Sequence, residues 1–177
     1  MMGRGDTFCV TPPLSMNMIK LSKRLKEIAA FITDSDTVAD IGTDHGYLPV
    51  YLAQTNSNRR IIASDISSGS LNAAYKSALK YDVTEAITLI TAFGLDGVSP
   101  DDVNTVVIAG LGGETIVSIL KNAEWTRQES IKLILQPQSK PEILSRYLYD
   151  NEYKIHETKY IRDRYKLYKI LLVGRNT

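Results

Sequence analysis

The chain is poor in cysteine, in net charge and in long apolar runs, and each shortage excludes a class of protein. Cys9 is the only cysteine, which excludes an intrachain disulfide and a cysteine metal cluster. The formal net charge is +1, so any surface that binds nucleic acid must be a local concentration of cations. The longest apolar run near the C-terminus, 170–173, cannot span a bilayer, and residues 1–11 lack the apolar core of a signal peptide. We therefore expect a cytoplasmic protein that binds neither metal nor membrane.

Length and composition indicate one domain. The 177 residues are 44% hydrophobic and 23% charged, as in a soluble globular protein with a sizeable core. Residues 1–17 contain glycine and proline without periodicity, and we expect a disordered leader there. Residues 18–177 are expected to form a single domain, as a monomer or weak dimer.

The most informative stretch is a glycine turn after the first expected strand, 38–41. Gly42 and Gly46 follow this apolar run, and a helix is expected from there on. Strand, glycine turn and helix open a nucleotide-binding βαβ unit, because glycine lets the backbone approach a ligand and the helix N-terminus offers free N–H groups. Asp65 ends the next expected strand, about 20 residues past the turn, where an acid usually holds a ribose hydroxyl.

The rest of the chain alternates between strand and helix patterns. An amphipathic helix is expected within 18–32, and Ser67 or Ser68 can cap a later one. Further strands are expected at 60–65, 86–92, 105–109 and 131–135, a helix at 141–149, and an antiparallel pair at 153–161 and 166–173.

This order predicts an α/β fold, with a doubly wound, Rossmann-like, seven-stranded sheet that is mostly parallel and ends in a C-terminal antiparallel hairpin. A dinucleotide-binding sheet normally stays parallel to its end, whereas the sheet of a methyltransferase ends in a reversed hairpin. The predicted hairpin therefore favours S-adenosylmethionine as the cofactor.

Four blocks in order carry a more specific signal. They are LSKRL at 21–25, ADIGTDHGYLP at 39–49, IAGLGG at 108–113 and LILQP at 133–137. With these blocks the chain resembles the TrmK-type tRNA methyltransferases, over roughly residues 19–173. The resemblance implies a class I methyltransferase fold, S-adenosylmethionine as cofactor, tRNA as partner and N1 of adenine 22 as the methylated atom.

The resemblance also implies a set of site residues. Expected cofactor contacts are Asp40, Gly42, Asp44, His45, Gly46, Tyr47, Leu48, Asp65, Ile66, Phe93, Gly94, Ala109, Gly110, Leu111, Gly112 and Gly113. Expected RNA contacts are Lys20, Lys23, Arg24, Arg162 and Arg164.

Two departures from the family pattern affect these expectations. The helical coiled coil with which family members grip tRNA is expected to be absent, because the sequence stops at Thr177. An acid or amide that meets the cofactor adenine is replaced by Phe93, which is expected either to stack on it or to weaken binding.

The chemistry of methyl transfer to adenine N1 points to one carboxylate. N1 already carries a lone pair, so positioning rather than deprotonation should supply most of the acceleration. The product is cationic, and a nearby carboxylate would stabilise the charge as it develops. Asp44, which stands where many such turns have glycine, is the expected catalytic residue. It could equally contact the methionine ammonium of the cofactor, or cap the next helix.

Other candidates have structural alternatives. His45 could contact substrate or simply bond to the turn, and Tyr47 and Phe93 could stack on a base or be core residues. The loop 110–113 could admit a flat base or be a tight turn, and it lacks the Asn/Asp-Pro-Pro-Tyr block used for exocyclic amines. The cations could bind phosphates or form a solvated face.

Three other functions remain possible from the sequence. One is a methyltransferase acting on another RNA or a small molecule. A second is a non-catalytic S-adenosylmethionine-binding module, since the family's helical tail is missing and the adenine-contact turn is altered. A dinucleotide-dependent oxidoreductase is disfavoured by the hairpin and by Asp44.

Overall fold

The computed structural model describes residues 17–163 and 165–174, which form a seven-stranded sheet with helices on both faces. Residues 1–16, on which the expected leader falls, and Arg164 lie outside these ranges. The strands are β1 (Val38–Ile41), β2 (Ile61–Asp65), β3 (Ile87–Thr91), β4 (Thr105–Gly112), β5 (Lys132–Ser139), β6 (Ile155–Asp163) and β7 (Lys166–Gly174). The helices are α1 (Lys23–Ala29), α2 (Tyr47–Thr55), α3 (Ser68–Lys80), α4 (Gly113–Asn122) and α5 (Pro141–Asp150).

The strand order is β3-β2-β1-β4-β5-β7-β6. Strands β1 to β5 are mutually parallel, whereas β7 runs antiparallel to both β5 and β6. The predicted seven-stranded, mostly parallel sheet with an antiparallel C-terminal hairpin is therefore confirmed. The order of the chain reverses between β1 and β4, and in open α/β sheets ligands bind at such a switch point, beyond the carboxyl ends of the strands.

The central strands of the sheet are buried on both faces, which explains why they are mostly apolar. One core packs α4 and α5 against the sheet and includes Ile108, Ile116 and Leu144. The other packs α1, α2 and α3 against the opposite face and includes Ile28 and Leu52. No helix in the described part of the chain is long and apolar enough to cross a membrane.

Local sequence signals set where the helices begin. The Ser22 hydroxyl accepts a hydrogen bond from the Leu25 N–H and so caps α1. Ser67, one of the two serines considered, caps α3 in the same way. Pro141 occupies the first turn of α5, where its missing N–H costs nothing.

Two strands run further than the sequence predicts. We expected β4 to end at Ala109 and β5 to end before Pro137, but they continue to Gly112 and Ser139. The pairing shifts register between Ala109 and Leu111, and Leu111 is the partner of Pro137. A proline is tolerated at such an irregularity, because no regular ladder hydrogen bond is required of it there.

Candidate active site

A cleft of about 740 Å³ opens at the carboxyl ends of β1, β2 and β4, at the switch point of the sheet. This volume is in the range of small-molecule and cofactor sites. It is lined by Lys20, Ser22, Arg24, Leu25, Asp40, Gly42, Thr43, Asp44, His45, Tyr47, Leu48, Asp65, Ser70, Ala109, Gly110, Leu111 and Gln138.

Asp65 fixes the geometry of the glycine turn. Its Oδ2 accepts a hydrogen bond of 3.2 Å from the Asp44 backbone N–H, and its Oδ1 accepts one of 2.9 Å from the Ser67 N–H. Each carboxylate oxygen keeps further acceptor capacity, because an ionised carboxylate can accept about four hydrogen bonds. The acid is thus held rigidly and can still accept hydroxyl groups from a ligand.

Asp40 forms the buried floor of the cleft. Its Oδ2 accepts a hydrogen bond of 2.7 Å from the Thr43 hydroxyl. Burial raises the pKa of Asp40 to about 6, against the opposing effects of the Thr43 hydrogen bond and the nearby Arg24 cation. Burial disfavours the ionised form of this carboxyl group, and a positively charged ligand group bound next to it would stabilise that form.

Asp44 presents an exposed carboxylate at the mouth of the cleft. Its backbone is left-handed (φ 53°), and its side chain is 71% exposed. The Nε2 atom of His45 lies 3.7 Å from its Oδ2. The idea that Asp44 caps α2 is wrong, because the N-cap is Gly46 and no side chain caps that helix.

His45 and Tyr47 form an aromatic pair beside Asp44. Their rings are stacked, with centroids 5.4 Å apart and planes 19° apart. Tyr47 is 44% exposed and Phe93 is 37% exposed, so neither is a fully buried core residue. Tyr47 lines the cleft, and Phe93 does not.

Arg24 connects α1 to the far side of the cleft. Its Nη1 donates a hydrogen bond of 2.6 Å to Oε1 of the buried Gln136 on β5. Its guanidinium lies 5.7 Å from the centroid of the Tyr168 ring on β7. Arg24, which we expected to contact RNA, is therefore held at the wall of the cleft.

The glycines after β4 have two different surroundings. Gly110 has φ 84° and lines the cleft, and a Cβ there would meet nothing closer than Nη1 of Arg24 at 3.8 Å. At Gly113 a Cβ would lie 2.2 Å from the Lys140 carbonyl oxygen, so glycine is required by the close approach of the loop before α5. Gly110 leaves room for a ligand, whereas Gly113 leaves room for the protein itself.

Several expected cofactor contacts do not line the cleft. Gly94 packs against Ile119, and Gly46 packs against Ala74 of α3. The expected contacts outside the lining are Gly46, Ile66, Phe93, Gly94, Gly112 and Gly113.

The expected RNA contacts are divided. Lys20 and Arg24 line the cleft. Lys23 and Arg162 lie beside it on α1 and β6, where the Lys23 ammonium donates to the Arg162 carbonyl oxygen at 3.2 Å.

The structure also brings in residues that the sequence did not indicate, namely Ser22, Leu25, Thr43, Ser70 and Gln138. The LILQP block predicted β5. Side chains alternate between the two faces of a strand, so Gln138 points to the same side as Gln136, the α1 side, only because the strand continues past Pro137.

The residues of the cleft fit S-adenosylmethionine. Asp65 has free acceptors for ribose hydroxyls, Asp40 and Asp44 offer carboxylates to an ammonium, and the backbone at Gly110 carries no side chain that would fill the space. No group of histidine, cysteine and acidic side chains within residues 17–163 and 165–174 is arranged to hold a metal ion.

Comparisons with known proteins agree with this fit. Residues 21–171 match the family described as "Methyltransferase domain". The tRNA (adenine(22)-N(1))-methyltransferase of Bacillus subtilis (strain 168) is 31% identical over 157 residues, which are 89% of this chain and 66% of that protein. The chain thus spans about two thirds of the length of this relative.

Solved structures give the same result. The crystal structure of the B. subtilis m1A22 tRNA methyltransferase TrmK has a TM-score of 0.83 and 29% identity, over 89% of this chain and 68% of that one. The structure of M. capricolum TrmK in complex with the cofactor product S-adenosyl-homocysteine has a TM-score of 0.77 and 34% identity, over 88% of this chain and 69% of that one.

Proposed function

The chain belongs to the methyltransferase domain family and, within it, to the TrmK-like tRNA methyltransferases, and on that premise we propose that it methylates N1 of an adenine in tRNA. S-adenosylmethionine is its cofactor. When bound, this cofactor supplies an electrophilic methyl group on a sulfonium. The activity named for the B. subtilis protein supports the tRNA substrate.

The observation that carries the proposal is the exposed carboxylate of Asp44 at the mouth of the cleft. N1 of adenine needs no base to make it nucleophilic, but it acquires a positive charge as it is methylated. A carboxylate that is exposed and not engaged in capping can stabilise that charge. We therefore assign Asp44 the role of stabilising the methylated base.

The other residues of the cleft would hold and orient the cofactor and the target base. Asp65 would bind ribose hydroxyls, and its hydrogen bond to the Asp44 N–H would keep the two acids in a fixed relation. Asp40 would face the methionine ammonium from below. The open backbone at Gly110 gives a flat base a place to lie, and Tyr47 at the rim can stack on it.

The substrate as an RNA is supported by the local charge around the cleft. Lys20, Lys23, Arg24 and Arg162 lie at or beside it, although the whole chain carries a formal charge of only +1. Cations concentrated at one mouth would bind phosphates, and the affinity would then fall steeply with salt.

The test is methyl transfer from labelled S-adenosylmethionine to an unmodified bacterial tRNA transcript, followed by nucleoside analysis. We expect N1-methyladenosine, and no label in a matched transcript that carries guanine in place of the target adenine. If the label appears on a different nucleoside, or only on another RNA or a small molecule, the methyl acceptor is not N1 of an adenine in tRNA. Cofactor binding without transfer to any of these would mean a non-catalytic module.

A further inference from the structure

The outer part of the β6–β7 hairpin extends past the end of β1, at the edge of the sheet where the cleft opens. Ile108 of β4 pairs with Ile41, the last residue of β1, and with Leu135 of β5, which in turn pairs with Leu171 of β7. The hairpin continues five residues further, to the pair Asp163 and Lys166. At about 3.3 Å per residue it rises about 17 Å past the level at which the glycine turn begins. We call the described residues between Lys159 and Ile170 the hairpin arm.

One face of the hairpin arm is closed by α1. Lys159 forms an ion pair with Glu27, and Ile161 is buried. Tyr168, directly opposite Ile161, lies under the Arg24 guanidinium. This face is therefore occupied by the protein itself, and it anchors the arm to the wall of the cleft.

The opposite face of the hairpin arm is open. Lys169 donates to the Ser145 hydroxyl on α5 at 2.9 Å, which places its face on the α5 side of the sheet. Tyr160 pairs with Lys169, and Arg162 pairs with Leu167, so these side chains share that face. Tyr160 is 60% exposed and Leu167 is 55% exposed.

The tip and the open face combine aromatic rings with positive charge. Tyr165 at the tip is fully exposed. Among the cations in the described part of the arm, Arg162 and Lys169 lie on the open face, whereas Lys159, which is paired with Glu27, and Lys166 lie on the α1 face. Exposed rings beside cations suit RNA, because bases stack on the rings while phosphates meet the cations.

The edge of β6 is poorly suited to pairing with another protein strand. The register shifts between Ile155 and Glu157, which interrupts the ladder at the start of the strand. The charged side chains of Glu157 and Lys159 follow it. Bulges and charges are the features that protect edge strands from pairing, so the edge of β6 is not suited to the addition of another strand.

We propose that the hairpin arm is a platform for nucleotides that flank the target adenine, with Tyr160 and Tyr165 stacking on exposed bases and Arg162 contacting phosphate. This inference rests on the proposed function and adds the part of the chain that holds RNA outside the cleft. Because the arm is anchored through Arg24 and Tyr168, RNA held there would lie in a fixed relation to the catalytic edge.

The test uses Tyr160→Ala, Tyr165→Ala and the conservative Tyr160→Phe, with Tyr75→Ala as the control. Tyr75 is also an exposed tyrosine, but it lies on α3, away from the arm. Binding of an unmodified tRNA transcript is measured directly by mobility shift, and the KM and kcat of methylation are measured separately. Cofactor affinity by calorimetry and the Tm show whether each variant keeps its fold and its cleft.

We expect each alanine variant on the arm to raise the Kd and the KM for tRNA about 10-fold, with kcat and cofactor affinity unchanged. Tyr160→Phe keeps the ring and Tyr75→Ala lies elsewhere, so both should behave as the wild type. Arg162→Ala should reduce the slope of log Kd against log salt by about 1.

The outcomes separate this inference from the proposed function. If the wild type methylates tRNA but the arm variants bind it as well as the wild type does, the platform is wrong and the function stands. If the wild type methylates no tRNA but its binding weakens in the arm variants, the platform stands and the function is wrong. If the arm variants alter only the concentration at which the protein dimerises, the open face binds a second copy of the chain. If the wild type does not bind tRNA at all, both the platform and the proposed function are wrong.

Discussion

The backbone N–H of Asp44 donates a hydrogen bond to Oδ2 of Asp65, with 3.2 Å between the two heavy atoms. The two residues are 21 positions apart in sequence; Asp44 lies beyond the end of β1, and Asp65 is the last residue of the neighbouring parallel strand β2. The bond joins the glycine turn to the acid at the end of β2, so the proposed catalytic and ribose-binding residues behave as one unit. A change at Asp65 should therefore reach Asp44.

Asp65→Asn is expected to weaken cofactor binding. The amide keeps the size of the side chain but loses the charge and one of the two acceptor oxygens. In the wild type, these two oxygens accept hydrogen bonds from the Asp44 and Ser67 N–H groups. Hydrogen bonds to a charged group are worth about 1.5–3 kcal/mol, which corresponds to a 10- to 100-fold increase in the Kd of S-adenosylmethionine, measured by calorimetry. Asp101→Asn, an exposed acid in the loop before β4, is the matched control, and equal affinities for the two variants would contradict the role.

Asp44→Asn is expected to lower kcat while changing cofactor affinity little. Asparagine tolerates the left-handed backbone at this position, so the variant removes charge without adding strain. We expect kcat for tRNA to fall about 10- to 100-fold, a moderate loss because the carboxylate is exposed to water. Asp82→Asn provides the control, since Asp82 has nearly the same φ of 55° and lies outside the cleft. A fall in cofactor affinity with unchanged kcat would instead assign Asp44 to the methionine ammonium.

The sequence predicted the sheet well because its signals were local. Alternating strands and helices and the glycine turn fix which elements exist, and chain order with the antiparallel hairpin then fixes the topology. It also placed Asp65, because the acid ends a strand that must lie beside β1.

The positions of the residues that do not line the cleft as expected depend on contacts between distant segments. Nothing in the sequence near Gly94 indicates that it packs on Ile119, or near Gly113 that it meets the Lys140 carbonyl. Arg24 reads as a surface cation of an amphipathic helix, and only the packing of α1 over β5 and β7 directs it to Gln136. Gly94 lies outside the regular strands and helices, and for Arg24 and Gly113, which lie in α1 and α4, helical periodicity indicates a face but not the distant residue that it meets.

Gly113→Ala and Gly110→Ala are expected to fail in different ways. A methyl group at Gly113 would lie 2.2 Å from the Lys140 carbonyl oxygen, so the loop before α5 must move. Overpacking of this kind costs about 1–3 kcal/mol, or roughly 2–10 °C in Tm for a chain of this size. At Gly110 the space is open and only the positive φ is unfavourable, so Tm should fall less while the KM for tRNA rises. A larger fall in Tm for Gly110→Ala would contradict the assignment of the two glycines.

Asp40→Asn is expected to stabilise the protein at neutral pH. Burial raises the pKa of Asp40 from 3.8 to about 6, so the folded state keeps a proton between these values that the unfolded state releases. The contribution of this group to the free energy of unfolding therefore falls as pH rises from about 4 to 6, by about 3 kcal/mol, and stays low above that. Asparagine carries no charge to bury, and its side-chain oxygen can still accept the Thr43 hydrogen bond.

The measurement for Asp40 is the difference in Tm between Asp40→Asn and the wild type as a function of pH, in which the other titrating groups cancel. The difference should be positive at pH 7.5 and vanish near pH 4, where the wild-type carboxyl is protonated in the folded state as well. The same variant should bind S-adenosylmethionine more weakly at pH 7.5, because the methionine ammonium loses its buried counter-charge. For the wild type, the Kd should rise as the pH falls below about 6, since only the ionised carboxylate attracts the ammonium, and it should level off once the carboxyl is protonated in the complex as well. If the variant is more stable yet binds the cofactor as the wild type does, the Asp40 carboxylate destabilises the fold without contributing to cofactor binding, and its proposed role is wrong.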